Sequence, residues 1–160
     1  MSTAAGERRI DRWFAHYSGD HRNATNQRIH VVAVPLILWS VVALLWCIPV
    51  LGTLFRPGLW AALAMFFAWS FYFRASRRIG YGMLVVFVAM AWLTRWLHLA
   101  LGTQSLLLLA IAVFVLAWIA QFVGHRIEGR KPSFLTDLTY LLIGPAWVLA
   151  KLYRKLGWTW

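Results

Sequence analysis

The sequence predicts an all-α integral membrane protein with four transmembrane helices and a short re-entrant or interfacial C-terminal segment. Composition is the first reason, because 61% of the 160 residues are hydrophobic, 11 are tryptophan and only 13% are charged. The second reason is that four long apolar runs are separated by short turns. The third is that fourteen of the 16 lysines and arginines fall on one side of those runs, as the positive-inside rule expects. We expect one membrane domain over 1–160.

The apolar runs define the predicted spans, because a helix needs about 20 apolar residues to cross a bilayer. Turn residues separate the runs, and Pro35 suits the first turn of the first helix. The turn before the fourth run is Gly102-Thr103-Gln104. The predicted spans are about 31–54, 59–73, 81–101 and 105–123.

The last apolar segment, 134–149, is shorter than a span and is interrupted by Gly144-Pro145. Basic residues flank it on both sides. A straight crossing would place one basic cluster outside, whereas a re-entrant or interfacial segment keeps both inside. We therefore predict that 134–149 does not cross the membrane.

The charge distribution also predicts location and partners. With an even number of spans and basic residues inside, both termini are expected in the cytoplasm, and the composition suggests a bacterial inner membrane. The polar, basic residues 1–30 lack the apolar core of a signal peptide. The net charge of +11 lies at the ends of apolar runs, which indicates contact with anionic headgroups and not with nucleic acid.

Polar residues gather at two membrane borders. His21, Asn26 and His30 precede the first run, and a second group follows the fourth run. In the predicted topology the first span begins, and the fourth ends, at the same cytoplasmic face. Because ionisable groups at a bilayer are costly, a functional site is the default interpretation. The second group consists of Gln121, His125 and Glu128.

Helical phase shows which of these side chains share a face. Gln121, His125 and Glu128 follow an i, i+4, i+7 pattern, which lines one side of a helix. His21 and His30 are nine residues apart and would lie on opposite sides of one helix. We therefore expect His21 on a turn before the first helix, where the residues from Asn23 onward are suited to capping.

Three imidazoles with a carboxylate or an amide form a plausible set of ligands for iron or zinc. Two alternatives stay open: a non-catalytic membrane scaffold or lipid-binding protein whose polar cluster is structural, and a zinc-dependent lipid hydrolase. Each histidine alone is more often an interfacial residue than a ligand, and His16 and His98 are interpreted in that way.

Two motifs connect these residues to a known family. They lie near opposite ends of the chain, and together they resemble the Mpo1-like family of small membrane proteins. The first is Tyr17-x3-His21-x4-Asn26-x3-His30-x4-Pro35, and the second is Gln121-Phe122-x-Gly124-His125-x2-Glu128-x3-Pro132.

The resemblance implies an Fe(II)-dependent dioxygenase that uses dioxygen to shorten 2-hydroxy fatty acids by one carbon in α-oxidation, whereas the ligand types alone leave zinc as the alternative metal. It implies that His21, His30 and His125 bind the metal. Glu128 is then a catalytic candidate, and Glu128, Asn26 and Gln121 are fourth ligands or supporting residues. The substrate carboxylate would be held at headgroup level by Arg130 or Lys131.

Overall fold

The computed structural model describes residues 8–51, 56–129 and 139–160, and all regular structure within these ranges is helical. This agrees with the predicted all-α class. The helices, in chain order, are α1 (Arg9–Gly19), α2 (Ala24–Trp46), α3 (Leu59–Ala75), α4 (Arg77–Glu128) and α5 (Thr139–Lys155).

Helix α1 lies inside the segment that we expected only to be polar. Its apolar residues Ile10, Phe14 and Tyr17 are four and three positions apart and are all buried. That spacing is typical of an amphipathic helix, so the sequence contained the signal. Because basic residues lie between these apolar residues, the segment contains no long apolar run that would predict a helix.

Helix α2 begins earlier than the apolar run suggested. Asn23 caps it by accepting hydrogen bonds from the backbone of Thr25 at 2.8 Å and of Asn26 at 3.3 Å, which confirms the predicted capping. Because the cap places the start at Ala24, Pro35 lies in the helix interior. The predicted first-turn position of Pro35 is therefore wrong.

Helix α4 consists of two arms, 77–101 and 103–128, separated by the non-helical backbone of Gly102 (φ 77°, ψ 168°). The second arm runs antiparallel to α2, since Asn26 bonds Glu128 and Cys47 lies 3.8 Å from the Thr103 carbonyl. The first arm begins beside α1, where Ile79 packs in the same core as Ile10. The chain therefore reverses at Gly102, within the predicted turn.

Two helices, α2 and α4, are long and apolar enough to cross a membrane, and α3 is apolar but shorter. Their large side chains face outward to an unusual extent. On α4 the exposed fractions are 62% for Val88, 70% for Leu99 and 66% for Leu116. Extended apolar surfaces of this kind mark contact with a membrane or another apolar partner. The number of crossings stays a prediction.

Helix α5 passes through Gly144 and Pro145 without a break. One of its faces is buried, including Ile143, Trp147 and Ala150, and it packs in one core with α1 and the start of α4. Residues 134–138 of the predicted re-entrant segment lie outside the described ranges. The arrangement places α1 and α5 together beside the start of α2 and the end of α4.

Replacing Gly102 should destabilise the reversal of α4. Its backbone conformation is accessible almost only to glycine, and a side chain there costs on the order of 1–3 kcal/mol. We expect Gly102→Ala to lower the midpoint of thermal unfolding in detergent. The control is Gly19→Ala, because a Cβ at Gly19 meets nothing within 4 Å and its backbone is helical. Equal midpoints for the two variants would contradict this account.

Candidate metal centre

Two histidines face each other at the start of α2. His21 lies on the turn between α1 and α2, as predicted, and His30 lies nearly two turns into α2. Their Nε2 atoms are 3.0 Å apart, and both side chains are only 1% exposed. The turn has folded His21 back onto the helix that carries His30.

The backbone determines the tautomer of each ring. His21 Nδ1 donates to the carbonyl oxygen of Tyr17 at 2.7 Å, and His30 Nδ1 donates to that of Asn26 at 3.0 Å. A neutral imidazole carries one N–H, so both Nε2 atoms direct lone pairs at one another. Such a contact is repulsive unless a proton or a metal ion lies between them.

A proton is the less favourable occupant of this gap. Burial lowers the pKa of His21 below its usual value, because a charged imidazolium loses its hydration there. A metal ion accepts electron pairs from both nitrogens and needs neutral imidazoles. The lone-pair contact therefore suits a metal ion better than a proton.

His125 completes a group of three. Its ring centre lies 5.1 Å from that of His21 and 4.9 Å from that of His30. One candidate ligand atom from each of the three histidines lies within 4.8 Å of the others. Nitrogens bound about 2 Å from one ion are about 3 Å apart, so small side-chain movements bring all three to ligand distance.

Several buried polar atoms of this group and its neighbours have no hydrogen-bond partner within the described ranges. They include Nδ1 of His125 and Oε1 of Gln121, one helical turn apart on α4, and Oδ1 of Asn26. Buried polar atoms are rarely left unsatisfied. Their presence beside three imidazoles supports a site that binds a polar ligand or ion.

Glu128 connects the end of α4, which carries His125, to the start of α2, which carries His30. One of its carboxylate oxygens accepts from the backbone N–H of Arg22 at 2.8 Å, and the other accepts from the N–H of Asn23 at 2.9 Å and from Asn26 Nδ2 at 3.0 Å. These bonds hold the end of α4 against the N-terminus of α2, where a negative charge is favourable. The geometry indicates a positioning role for Glu128.

Gly124 allows the end of α4 to lie close to the start of α2. A Cβ at this position would clash with Oδ1 of Asn26. Asn26 is fully buried, and its backbone carbonyl holds His30 while its side chain holds Glu128. Asn26 therefore links one candidate ligand to the contact between the helices.

An aromatic wall from α1 and α5 covers the histidines. Tyr17 stacks on His21 with ring centres 4.2 Å apart, and Trp147 lies 5.8 Å from His21. Trp147 is anchored by a 2.9 Å hydrogen bond to Ser18. Neither aromatic residue was predicted from the sequence to belong to the site, although Tyr17 stands four residues before His21.

The histidines lie at one end of a cavity of about 380 Å³. Apart from its polar end, the cavity is lined by apolar side chains of α2, α4 and α5, and this volume lies within the range of small-molecule sites. Gln121 is the polar group next along its wall after His125. The site is thus a polar centre joined to an apolar cavity.

The other candidates lie elsewhere. His98 bonds the Thr103 hydroxyl at 2.9 Å near the far end of the arms, and His16 bonds the hydroxyl of Tyr140. Arg130 and Lys131 fall outside the described ranges.

Lys151 is a cation near the site that was not predicted from the sequence. It donates to Gln27 Oε1 at 2.6 Å, and Gln27 in turn donates to the His21 carbonyl at 2.7 Å.

The fold and the site define a helical, strongly apolar protein with a buried three-histidine centre at the end of an apolar cavity. Residues 8–156 match the family described as "2-hydroxy-palmitic acid dioxygenase Mpo1-like", and the chain belongs to that family. It is 27% identical over 143 residues to the 2-hydroxy-palmitic acid dioxygenase MPO1 of Saccharomyces cerevisiae, covering 88% of this chain and 78% of the yeast protein. No solved structure matches.

Glu128→Gln should weaken the hydrogen-bonded contact between α4 and α2 and so lower the stability of the protein. The amide keeps one acceptor oxygen but places an NH₂ group against backbone N–H donors, so we expect a loss of about 1–2 kcal/mol. The matched control is Asp11→Asn, since the ion pair of Asp11 with the exposed Arg8 contributes little and the amide oxygen can still accept from Trp160 Nε1. Thermal unfolding measures the stability of both variants, and an equal loss of stability in the two would argue against a stabilising role of the Glu128 contact.

Proposed function

We propose that this protein is a non-haem iron dioxygenase that shortens 2-hydroxy fatty acids by one carbon. Membership in the family and the similarity to the yeast enzyme support a fatty acid dioxygenase-type function. The observation that carries the proposal is the pair of backbone-oriented histidines whose lone pairs meet at 3.0 Å, with a third histidine beside them.

The three histidines would hold Fe(II). A bound iron would supply coordination positions for the substrate oxygens and electrons for the activation of dioxygen. The chain contributes neutral imidazoles, whose orientation is held by the carbonyl oxygens of Tyr17 and Asn26. Such outer hydrogen bonds set the direction and basicity of histidine ligands.

The cavity suits an amphiphilic acid. Its apolar walls would exclude water from the tail, and the polar head would lie among the histidines and Gln121. The unpartnered Oε1 of Gln121 would accept a hydrogen bond from the substrate hydroxyl. We also propose that Arg130 or Lys131 binds the carboxylate, since both follow His125 closely in the sequence.

The proposed membrane arrangement has four crossings, with the histidine centre and both termini at the cytoplasmic face. The reversal at Gly102 supports it because each arm of α4 is then about as long as one span. The basic residues at the ends of α3, α4 and α5 support the orientation. A fatty acid in the inner leaflet could then enter with its head at the level of the histidines.

Purified protein is expected to contain about one iron per chain. Each of the variants His21→Ala, His30→Ala and His125→Ala should lose most of this metal, because three shared ligands leave little affinity when one is removed. His98→Ala is the matched control and should keep it. Elemental analysis and circular dichroism distinguish loss of metal from loss of fold. Metal retained by all three variants would exclude this centre.

The iron-loaded protein is expected to consume dioxygen when a 2-hydroxy fatty acid is added and to release the acid one carbon shorter. One dioxygen per acid balances if the carboxyl carbon leaves as carbon dioxide with one water. An oxygen electrode and mass spectrometry of the products measure both quantities. Product formed without dioxygen by a zinc-loaded protein would favour a hydrolase. A folded protein without metal or turnover would favour a scaffold or lipid-binding role.

A further inference from the structure

Two helices form the long walls of the cavity below the histidines. On α2 the lining residues after His30 are Val34, Ile37, Leu38 and Val41. They are spaced by helical turns, so they occupy one face of α2. The lining residues of α4 are also spaced by helical turns and occupy one face of that helix. In order away from the histidine end they are His125, Gln121, Trp118 and Phe114.

The register of the two helices gives the cavity a direction. Because α2 and the second arm of α4 are antiparallel, with Asn26 opposite Glu128 and Cys47 opposite Thr103, His30 is level with His125. By the same register Val41 lies within about one helical turn of the level of Phe114. The cavity therefore has a polar end at the histidines and an apolar end at Val41 and Phe114.

Packed side chains lie beyond the apolar end. One turn beyond Phe114, Ala110 is fully buried, and it packs with Ala43, Trp39 and Leu106 in a separate core cluster. Leu44, one turn beyond Val41, packs against this cluster as well. Among the described residues that line the cavity, Val41 and Phe114 lie farthest from the histidines, and we take these two side chains as its floor.

The distance from the histidines to this floor follows from helix geometry. His30 and Val41 are eleven residues apart, a rise of about 16 Å at 1.5 Å per residue. An extended chain advances about 1.2 Å per bond, so this length holds about 14 carbons. With a two-carbon head at the histidines, an acid of about 16 carbons fills the cavity.

We propose that Phe114 and Val41 select the length of the acyl chain by forming the floor of a tail-binding cavity between α2 and the second arm of α4. The inference rests on the proposed function for its substrate class. Val41 is 37% exposed, so the groove is open at the side, and the tail would enter laterally from the bilayer. The alternative is that the tail lies outside the protein among the lipids.

Photo-crosslinking tests the position of the tail without any turnover. A saturated fatty acid of about 16 carbons with a diazirine at its last carbon is expected to label the side chains of Val41 and Phe114, and fragmentation of the labelled peptides identifies the residues. A diazirine near the carboxyl group is expected to label Gln121 and His125. Labelling of outward residues such as Val88 and Leu116, and not of Val41 and Phe114, by the terminal diazirine would overturn the proposal.

Two variants test the floor by activity. Phe114→Ala should open about one more turn, 5.4 Å or about four carbons, and should raise the kcat/KM ratio for acids of about 20 against about 16 carbons by tenfold or more. Val41→Phe should shift the preference toward acids about four carbons shorter by a similar factor. Such factors are typical of hydrophobic pockets that discriminate by methylene groups.

The control is Phe67→Ala, since Phe67 is 67% exposed on α3 and lies away from this cavity. It should leave the chain-length profile unchanged. A profile that Phe114→Ala and Val41→Phe do not alter would overturn the inference while leaving the dioxygenase proposal intact. If the native protein turns over no 2-hydroxy acid, the proposed function fails, and the crosslinking pattern alone decides whether the cavity holds a tail.

Discussion

The contact on which the site depends is the binding of the Glu128 carboxylate at the N-terminus of α2. It joins residues more than a hundred positions apart, and its partners are two backbone N–H groups and the amide of Asn26. Without it, apolar packing alone would determine the register between α2 and the second arm. Apolar packing is not directional, whereas these hydrogen bonds require one register, and that register places His125 beside His30.

A second constraint acts inside the site. Each of His21 and His30 uses its Nδ1 proton on a backbone carbonyl four residues earlier. The two Nε2 lone pairs are consequently forced together at 3.0 Å. This is an unfavourable arrangement for the protein alone, and a fold that maintains it must be stabilised elsewhere. Strained or frustrated groups of this kind cluster at functional sites, and a bound metal ion would replace the repulsion with two bonds.

The sequence contained most of the site but not the reason that it assembles. Helical phase correctly predicted that His21 precedes the helix, and the residue types of Asn23-Ala24-Thr25-Asn26 predicted a cap there, because these properties are local. The role of Glu128 could not be read from its spacing, since its partners come from a distant turn. The amphipathic α1 was missed because its apolar stripe is short, and Pro35 was misplaced because the helix begins in polar sequence.

The two parts of the proposed active site are carried by the same pair of helices but stabilised by different contacts. Hydrogen bonds at Asn26 and Glu128 align the polar end, whereas the apolar end lies against the packed cluster around Ala43 and Ala110. The floor can therefore vary in size without disturbing the hydrogen bonds that align the histidines about 16 Å away. In such a design the metal chemistry and the chain length of the substrate are separate properties, and members of one family could keep the first while changing the second.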